Sequence, residues 1–221
     1  MKLKVGRPAG RLFLGRFSVD EFSVDQVGHG GFGTMVRPIG FLKRLWLLYR
    51  SKPAGERSLL AAARGIPTRP DGSIRILELG LGTMRRAERV LRLAGSRKDR
   101  PSVHYVGLDR FEGRLPNDPP GVTLKQAHQS LGKLAKVQLV PGNVDTSLSR
   151  LCNHLGAFDL VIVSRDADPR HLERSWFFIQ RLVTPATVVF LEPSSADAAW
   201  QKFGKARVDE LAARTVGRRV A

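Results

Sequence analysis

The chain reads as an α/β fold, a three-layer sandwich around a mostly parallel sheet. Short apolar runs at 74–79, 103–108, 137–140, 158–163 and 187–191 alternate with stretches of helical periodicity, the pattern of strands linked by crossover helices. The run Ile76-Leu77-Glu78-Leu79-Gly80-Leu81-Gly82-Thr83 joins the first strand to a glycine turn and a helix. Polar residues Glu78, Asp109, Asn143, Ser164 and Glu192 fall at or just beyond the five strand ends. Right-handed crossovers gather those ends on one side, where such sheets bind ligands.

The elements follow in order. Residues 1–38 mix Gly and Pro with scattered apolar residues and read as an N-terminal arm, a small hairpin or a largely disordered segment. Residues 39–72 read as a helical cap region, with helices at 39–50 and 53–64, Pro53 in a first turn and Gly65 at an end. The 39–50 segment is open to three uses: a lid, a homodimer contact, or a basic amphipathic face on acidic lipid. The domain proper covers 73–221. After the first strand a helix is expected at 83–93, then helices at 124–134, 147–155 and 169–183 between successive strands. In the last of these, Leu172, Trp176, Ile179 and Val183 share one face. A final helix is expected at 196–213, and 215–220 is a candidate for a small edge strand.

Composition bounds the function. At 221 residues the chain buries a core of its own. Its net charge of +17 favours an anionic partner or substrate and weak, non-specific polyanion binding. The excess is spread out: residues 1–57 hold 11 basic and 4 acidic side chains. Cys152 is the only cysteine, which excludes an intrachain disulfide and a thiolate metal cluster within one chain and suits a reducing compartment. No apolar run reaches membrane-spanning length, and no signal-peptide core follows the basic N-terminus. A cytoplasmic location is the expectation.

On these motifs, residues 74–192 resemble the class I S-adenosylmethionine-dependent methyltransferases. Ile76 to Thr83 is similar to their first motif, and Tyr105-Val106-Gly107-Leu108-Asp109 to their second. Val140-Pro141-Gly142-Asn143-Val144 resembles the third-strand motif, with Phe158 to Val163 and Val188-Val189-Phe190-Leu191-Glu192 in the places of the fourth and fifth strands. The run from Gly107 to Pro116 looks closest to the macrocin O-methyltransferase type of small-molecule enzyme. The resemblance implies a mostly parallel Rossmann-like methyltransferase sheet. It also implies S-adenosylmethionine as cofactor, held by Glu78, Gly80, Gly82, Asp109 and Asn143. Gly80 and Gly82 would take the methionine part, Asp109 the ribose, and Asn143 the neighbourhood of the adenine amine. Glu78 would order the glycine loop or reach the cofactor amine.

Departures from that pattern are informative. Met84 stands where the commonest first motif has a third glycine. Ser164 stands where metal-dependent relatives carry an acid, so no metal site is expected, although Asp166, Asp168 and Glu192 lie nearby. The usual carboxy-terminal strand hairpin is hard to find in the 29 residues after Glu192, which suggests a shortened sheet.

For catalysis, His171, Asp166 and Asp168 are the candidate general bases, His171 because imidazole titrates near neutrality. Plainer roles stand next to these: Asp168 as the start of the helix at Pro169, Asn143 as a helix cap, His171 as a surface residue, and Cys152 as packing. The expected activity is methyl transfer to an oxygen, less favourably a nitrogen, of a small-molecule acceptor. An RNA methyltransferase and a non-catalytic binding protein on the same fold are the alternatives.

Overall fold

The computed structural model of the chain describes residues 54–195 and 198–217. The arm at 1–38 and the helix at 39–50 lie outside the described residues, as does the stretch 218–220 of the suggested edge strand. In order, the elements are α1 (Ala54–Gly65), β1 (Ser73–Leu79), α2 (Arg85–Gly95), β2 (Ser102–Asp109), a 3₁₀ turn (Phe111–Gly113), α3 (Leu124–Leu131) and β3 (Lys136–Pro141). Then come α4 (Val144–Leu155), β4 (Phe158–Val163), α5 (Pro169–Ile179), β5 (Val183–Leu191), β6 (Gln201–Phe203) and α6 (Lys205–Gly217).

The sheet has the order β3-β2-β1-β4-β5-β6, parallel except for the β5–β6 pair. The expected three-layer α/β architecture is therefore present. Helices α1 to α3 cover one face through Leu59, Leu60, Val90, Leu91 and Leu131. Helices α4 to α6 cover the other through Leu148, Cys152, Trp176, Ile179 and Val208. Both faces of the central strands are thus buried, which explains their near-continuous apolar sequences. The chain reverses its direction of travel across the sheet between β1 and β4, leaving a crevice beyond their carboxyl ends.

Local chemistry starts the helices where it should. Thr123 and Gln126 form a reciprocal capping box at α3. Asp168 caps α5 by accepting from Arg170 N, with Pro169 behind it. The plainer expectation for Asp168 as a helix start is met.

The boundaries that differ most from those the sequence suggested lie between α5 and α6. Helix α5 ends at Ile179, and Val183 opens β5 instead of closing the helix face. Thr187 Oγ1 donates to Phe158 O at 2.6 Å and accepts from Thr184 N at 2.8 Å, so a side chain carries the strand across a register shift around Pro185. That interruption hides the first half of the strand from periodicity. The last helix starts at Lys205, because Gln201–Phe203 pairs antiparallel with β5 while Trp200 is buried and Phe203 packs 6.1 Å from Trp176. Thr215 belongs to α6, where its hydroxyl donates to Glu173 O at 2.9 Å. The sheet edge is supplied by β6, before that helix.

Candidate functional site

Strand alternation decides where the strand-end side chains go. Ile74 and Ile76 face the α1–α3 layer, while Leu77 and Leu79 face the other. Glu78 therefore points beneath α2 and not into the crevice. It is fully buried, accepting from Arg86 Nε at 2.8 Å and from the Tyr105 hydroxyl at 2.7 Å. Ser164 and Glu192 continue the same face of β4 and β5. Arg86 donates to Glu192 Oε2 at 2.9 Å and to Gly80 O at 3.1 Å, and its guanidinium lies 5.3 Å from the Trp200 ring centre. Ser164 Oγ donates to Glu192 Oε2 at 3.0 Å. Burial raises the pKa of Glu78, and Arg86 and Tyr105 counter it. Burial lowers that of Arg86, and Glu78 and Glu192 more than reverse it. One guanidinium thus ties together the ends of β1 and β5 and the glycine turn. Glu78 orders that turn indirectly and has no free oxygen aimed at a ligand.

The turn itself needs its glycines. Gly80 and Gly82 have φ of +81° and +58°. A Cβ on Gly80 would lie 2.6 Å from Ala167 N, and one on Gly82 would overlap the carboxylate of Asp166. The close approach these glycines allow is made by the chain's own loop after β4. Met84, in the place of the third glycine, also has a left-handed backbone, with φ of +55°.

Asp109 ends β2 beside the crevice and is 4% exposed. Its Oδ2 accepts from Gly82 N at 2.9 Å and its Oδ1 from Phe111 N at 2.9 Å. Arg114 Nη2 reaches both oxygens, at 2.8 and 2.7 Å. Asn143 precedes α4, but its side chain makes no capping bond; its Oδ1 accepts from Arg110 Nε at 2.9 Å. Arg110 continues to Asp118 and Asp168, each at 2.9 Å. The backbone N–H of Arg170 holds the pKa of Asp168 below the ordinary aspartate value, and Arg110 adds to this. The backbone N–H of Leu115 does the same for Asp118, again with help from Arg110.

His171 sits in the first turn of α5 with Nδ1 2.9 Å from Asp145 Oδ1, off the line of a well-formed hydrogen bond. Asp145, from the first turn of α4, also accepts from Thr146 N at 2.8 Å. A carboxylate at Nδ1 orients the ring and leaves Nε2 as the nitrogen for other chemistry. Sequence reasoning missed Asp145, Arg86, Arg110 and Arg114. Only the position of Arg86 in the first turn of the helix behind the glycine turn offered a clue.

Gly80, Asp109, Asn143, Asp166, Asp168 and His171 line one cavity of about 440 Å³, the size range of small-ligand sites. Arg110, Arg114, Arg165 and Arg170 line it too. Glu78 and Gly82 stand behind it. Among the described residues no group of three His, Cys, Asp or Glu side chains is placed to hold a metal ion. Glu192 is engaged by Arg86 and Ser164 instead.

No protein-family model and no curated protein matches the chain. Among solved structures it is similar to a TehB-like SAM-dependent methyltransferase from Corynebacterium glutamicum, at 14% identity over 78% of this chain and 77% of that one, TM-score 0.44. It is similar to a precorrin-6y C5,15-methyltransferase from Geobacter metallireducens, at 16% identity over 72% and 70% of the two chains, TM-score 0.43. A third is the MycE methyltransferase of the mycinamycin biosynthetic pathway, solved with Mg and SAH, at 20% identity over 61% of this chain and 30% of that one, TM-score 0.41. These likenesses are distant.

Proposed function

We propose that the cavity binds S-adenosylmethionine and that the protein transfers its methyl group to an oxygen, less favourably a nitrogen, of a small molecule. The observation that carries this reading is Asp109. It is a buried carboxylate at the end of β2, bonded to the glycine turn after β1 and facing the crevice where the sheet order reverses. Asn143 and Asp166 line the same cavity, bonded by Arg110 and Ser164. On this reading Arg110 and Arg114 withdraw when the cofactor binds.

When bound, the cofactor supplies an electrophilic methyl on a sulfonium. Everything else falls to the protein. Asp109 would accept from the ribose hydroxyls, and Asn143 would offer its amide near the base. Asp166, lying over Gly82, places negative charge where an ammonium arrives. His171 Nε2, in a ring whose Nδ1 lies 2.9 Å from Asp145 Oδ1, would take the acceptor's proton as the methyl–sulfur bond breaks and the methyl–acceptor bond forms. Alignment of donor and acceptor and exclusion of water supply the rest of the rate. We assign no metal, because Arg86 and Ser164 use the Glu192 carboxylate.

The net charge of +17 favours a second reading, methylation of RNA. Incubation with methyl-labelled cofactor and either total RNA or a small-molecule extract separates the two. Label in the small-molecule fraction is expected. Label at a defined RNA position at physiological salt would make RNA the substrate.

A further inference from the structure

Asp109 is already occupied. Arg114 Nη2 is within hydrogen-bond distance of both carboxylate oxygens, the atoms that a ribose diol would use on the reading above, and the two side chains are 13% and 3% exposed. We propose that Arg114 is an internal occupant of the ribose subsite, a latch whose withdrawal sets how tightly the cavity takes its ligand. The inference rests on the S-adenosylmethionine reading above.

Arg114 is seated in a slot made for it. A Cβ on Gly121 would overlap its guanidinium, and Arg114 Nη1 donates to Pro119 O at 2.7 Å in the same slot. Gly121 has no left-handed backbone, so the missing side chain, not a turn, is what this glycine contributes. Ion pairs of Arg110 and Arg114 help to hold the strap between Asp109 and Val122 at the cavity. Arg110 clasps Asn143 on one side and Asp168 on the other, while Leu115 projects into solvent at 63% exposure.

Both ends of the strap are fixed independently of these arginines. Phe111 N donates to Asp109 and Val122 N donates to Gly82 O at 3.2 Å. The guanidiniums can therefore leave without unravelling the strap. Phe111, buried at its start, has φ of +47°, a strained conformation for an aromatic residue.

At Asp109 the exchange conserves hydrogen bonds, while the contact of Arg114 Nη1 to Pro119 O is given up to water. Two N–H···O contacts to Asp109 are replaced by two O–H···O contacts from a diol, and the guanidinium returns to water. A ligand must therefore bind the fraction of molecules whose latch is open, and its apparent dissociation constant rises in proportion. Removing Arg114 leaves a buried carboxylate short of donors, which a diol then supplies.

The test is calorimetric titration of S-adenosylhomocysteine into the wild-type chain, Arg114→Ala and Gly121→Ala. The second variant evicts the guanidinium without deleting it and serves where the first fails to fold. Both variants are expected to bind about tenfold more tightly, the scale of one charge-assisted pair no longer broken on binding. Equal or weaker binding by both variants, with binding by the wild type, overturns the latch and leaves the cofactor reading standing. No binding by any of the three folded proteins overturns both.

Discussion

The Arg86 guanidinium and the Glu78 carboxylate meet at 2.8 Å beneath the glycine turn, with 12% and 0% of their side chains exposed. Both Glu78 oxygens are engaged here, one by Arg86 and one by the Tyr105 hydroxyl. Breaking the ion pair strands a charge inside the protein.

Arg86→Ala is therefore expected to destabilise the fold by about 3–5 kcal/mol, the scale for removing one partner of a buried ion pair. Adding Glu78→Gln to that variant should recover part of the loss, because the stranded charge is gone. Denaturant unfolding of both variants checks this. A double variant no more stable than Arg86→Ala would mean that lost packing against Trp200 dominates.

Met84 occupies a left-handed conformation that costs an L residue about 1–2 kcal/mol. Met84→Gly relieves it but loses a half-buried side chain and adds backbone entropy to the unfolded state. The net change should lie within about 1 kcal/mol. Met84→Val should destabilise by roughly 2 kcal/mol more than Met84→Gly, since β-branched residues tolerate this conformation worst. Equal stabilities would show that the backbone relaxes around position 84.

His171 and Asp145 should divide their effects. With a methyl acceptor in hand, His171→Gln is expected to lower kcat by about a hundredfold or more with little change in the KM for S-adenosylmethionine. Asp145→Asn should lower kcat less and shift the pH dependence of kcat, because it acts through the orientation and charge of the ring. A kcat insensitive to His171→Gln would remove the histidine from the chemistry.

Acid should open the Arg110 clasp. Asp118 and Asp168 have folded pKa values below their unfolded ones. Their contribution to stability is fully present above about pH 4 and is lost as pH falls through the folded values. Asp168→Asn keeps the helix cap and removes the charge. Its stability deficit relative to wild type should be constant near neutrality and shrink below about pH 4. A deficit unchanged in strong acid would show that the carboxylate's charge is not the cause.

Much of the architecture was legible because apolar strands and glycine turns are local signals. The order of strand, glycine turn, helix and acid-terminated strand is enough to put Gly80 and Asp109 at the same end of the sheet. The failures share a cause. The start of β5 depends on the Thr187 hydroxyl reaching Phe158, and β6 exists because Trp200 and Phe203 find partners far away in sequence. The same holds in the site. Glu78 was visible, but the choice of Arg86 as its partner comes from the packing of α2 over β1. Asp109 was visible, but its capture by Arg114 depends on the slot at Gly121, which no spacing rule announces.

The central claim is that Asp109 anchors S-adenosylmethionine in the crevice. It is tested most directly by equilibrium binding of that cofactor to the wild-type chain and to Asp109→Ala, with folding of both checked by circular dichroism. The account predicts micromolar binding by the wild type and a loss of about 1.5–3 kcal/mol in the variant, the value of a hydrogen bond to a charged group. Absence of heat and of any thermal shift with the wild type, or undiminished binding by Asp109→Ala, would contradict it.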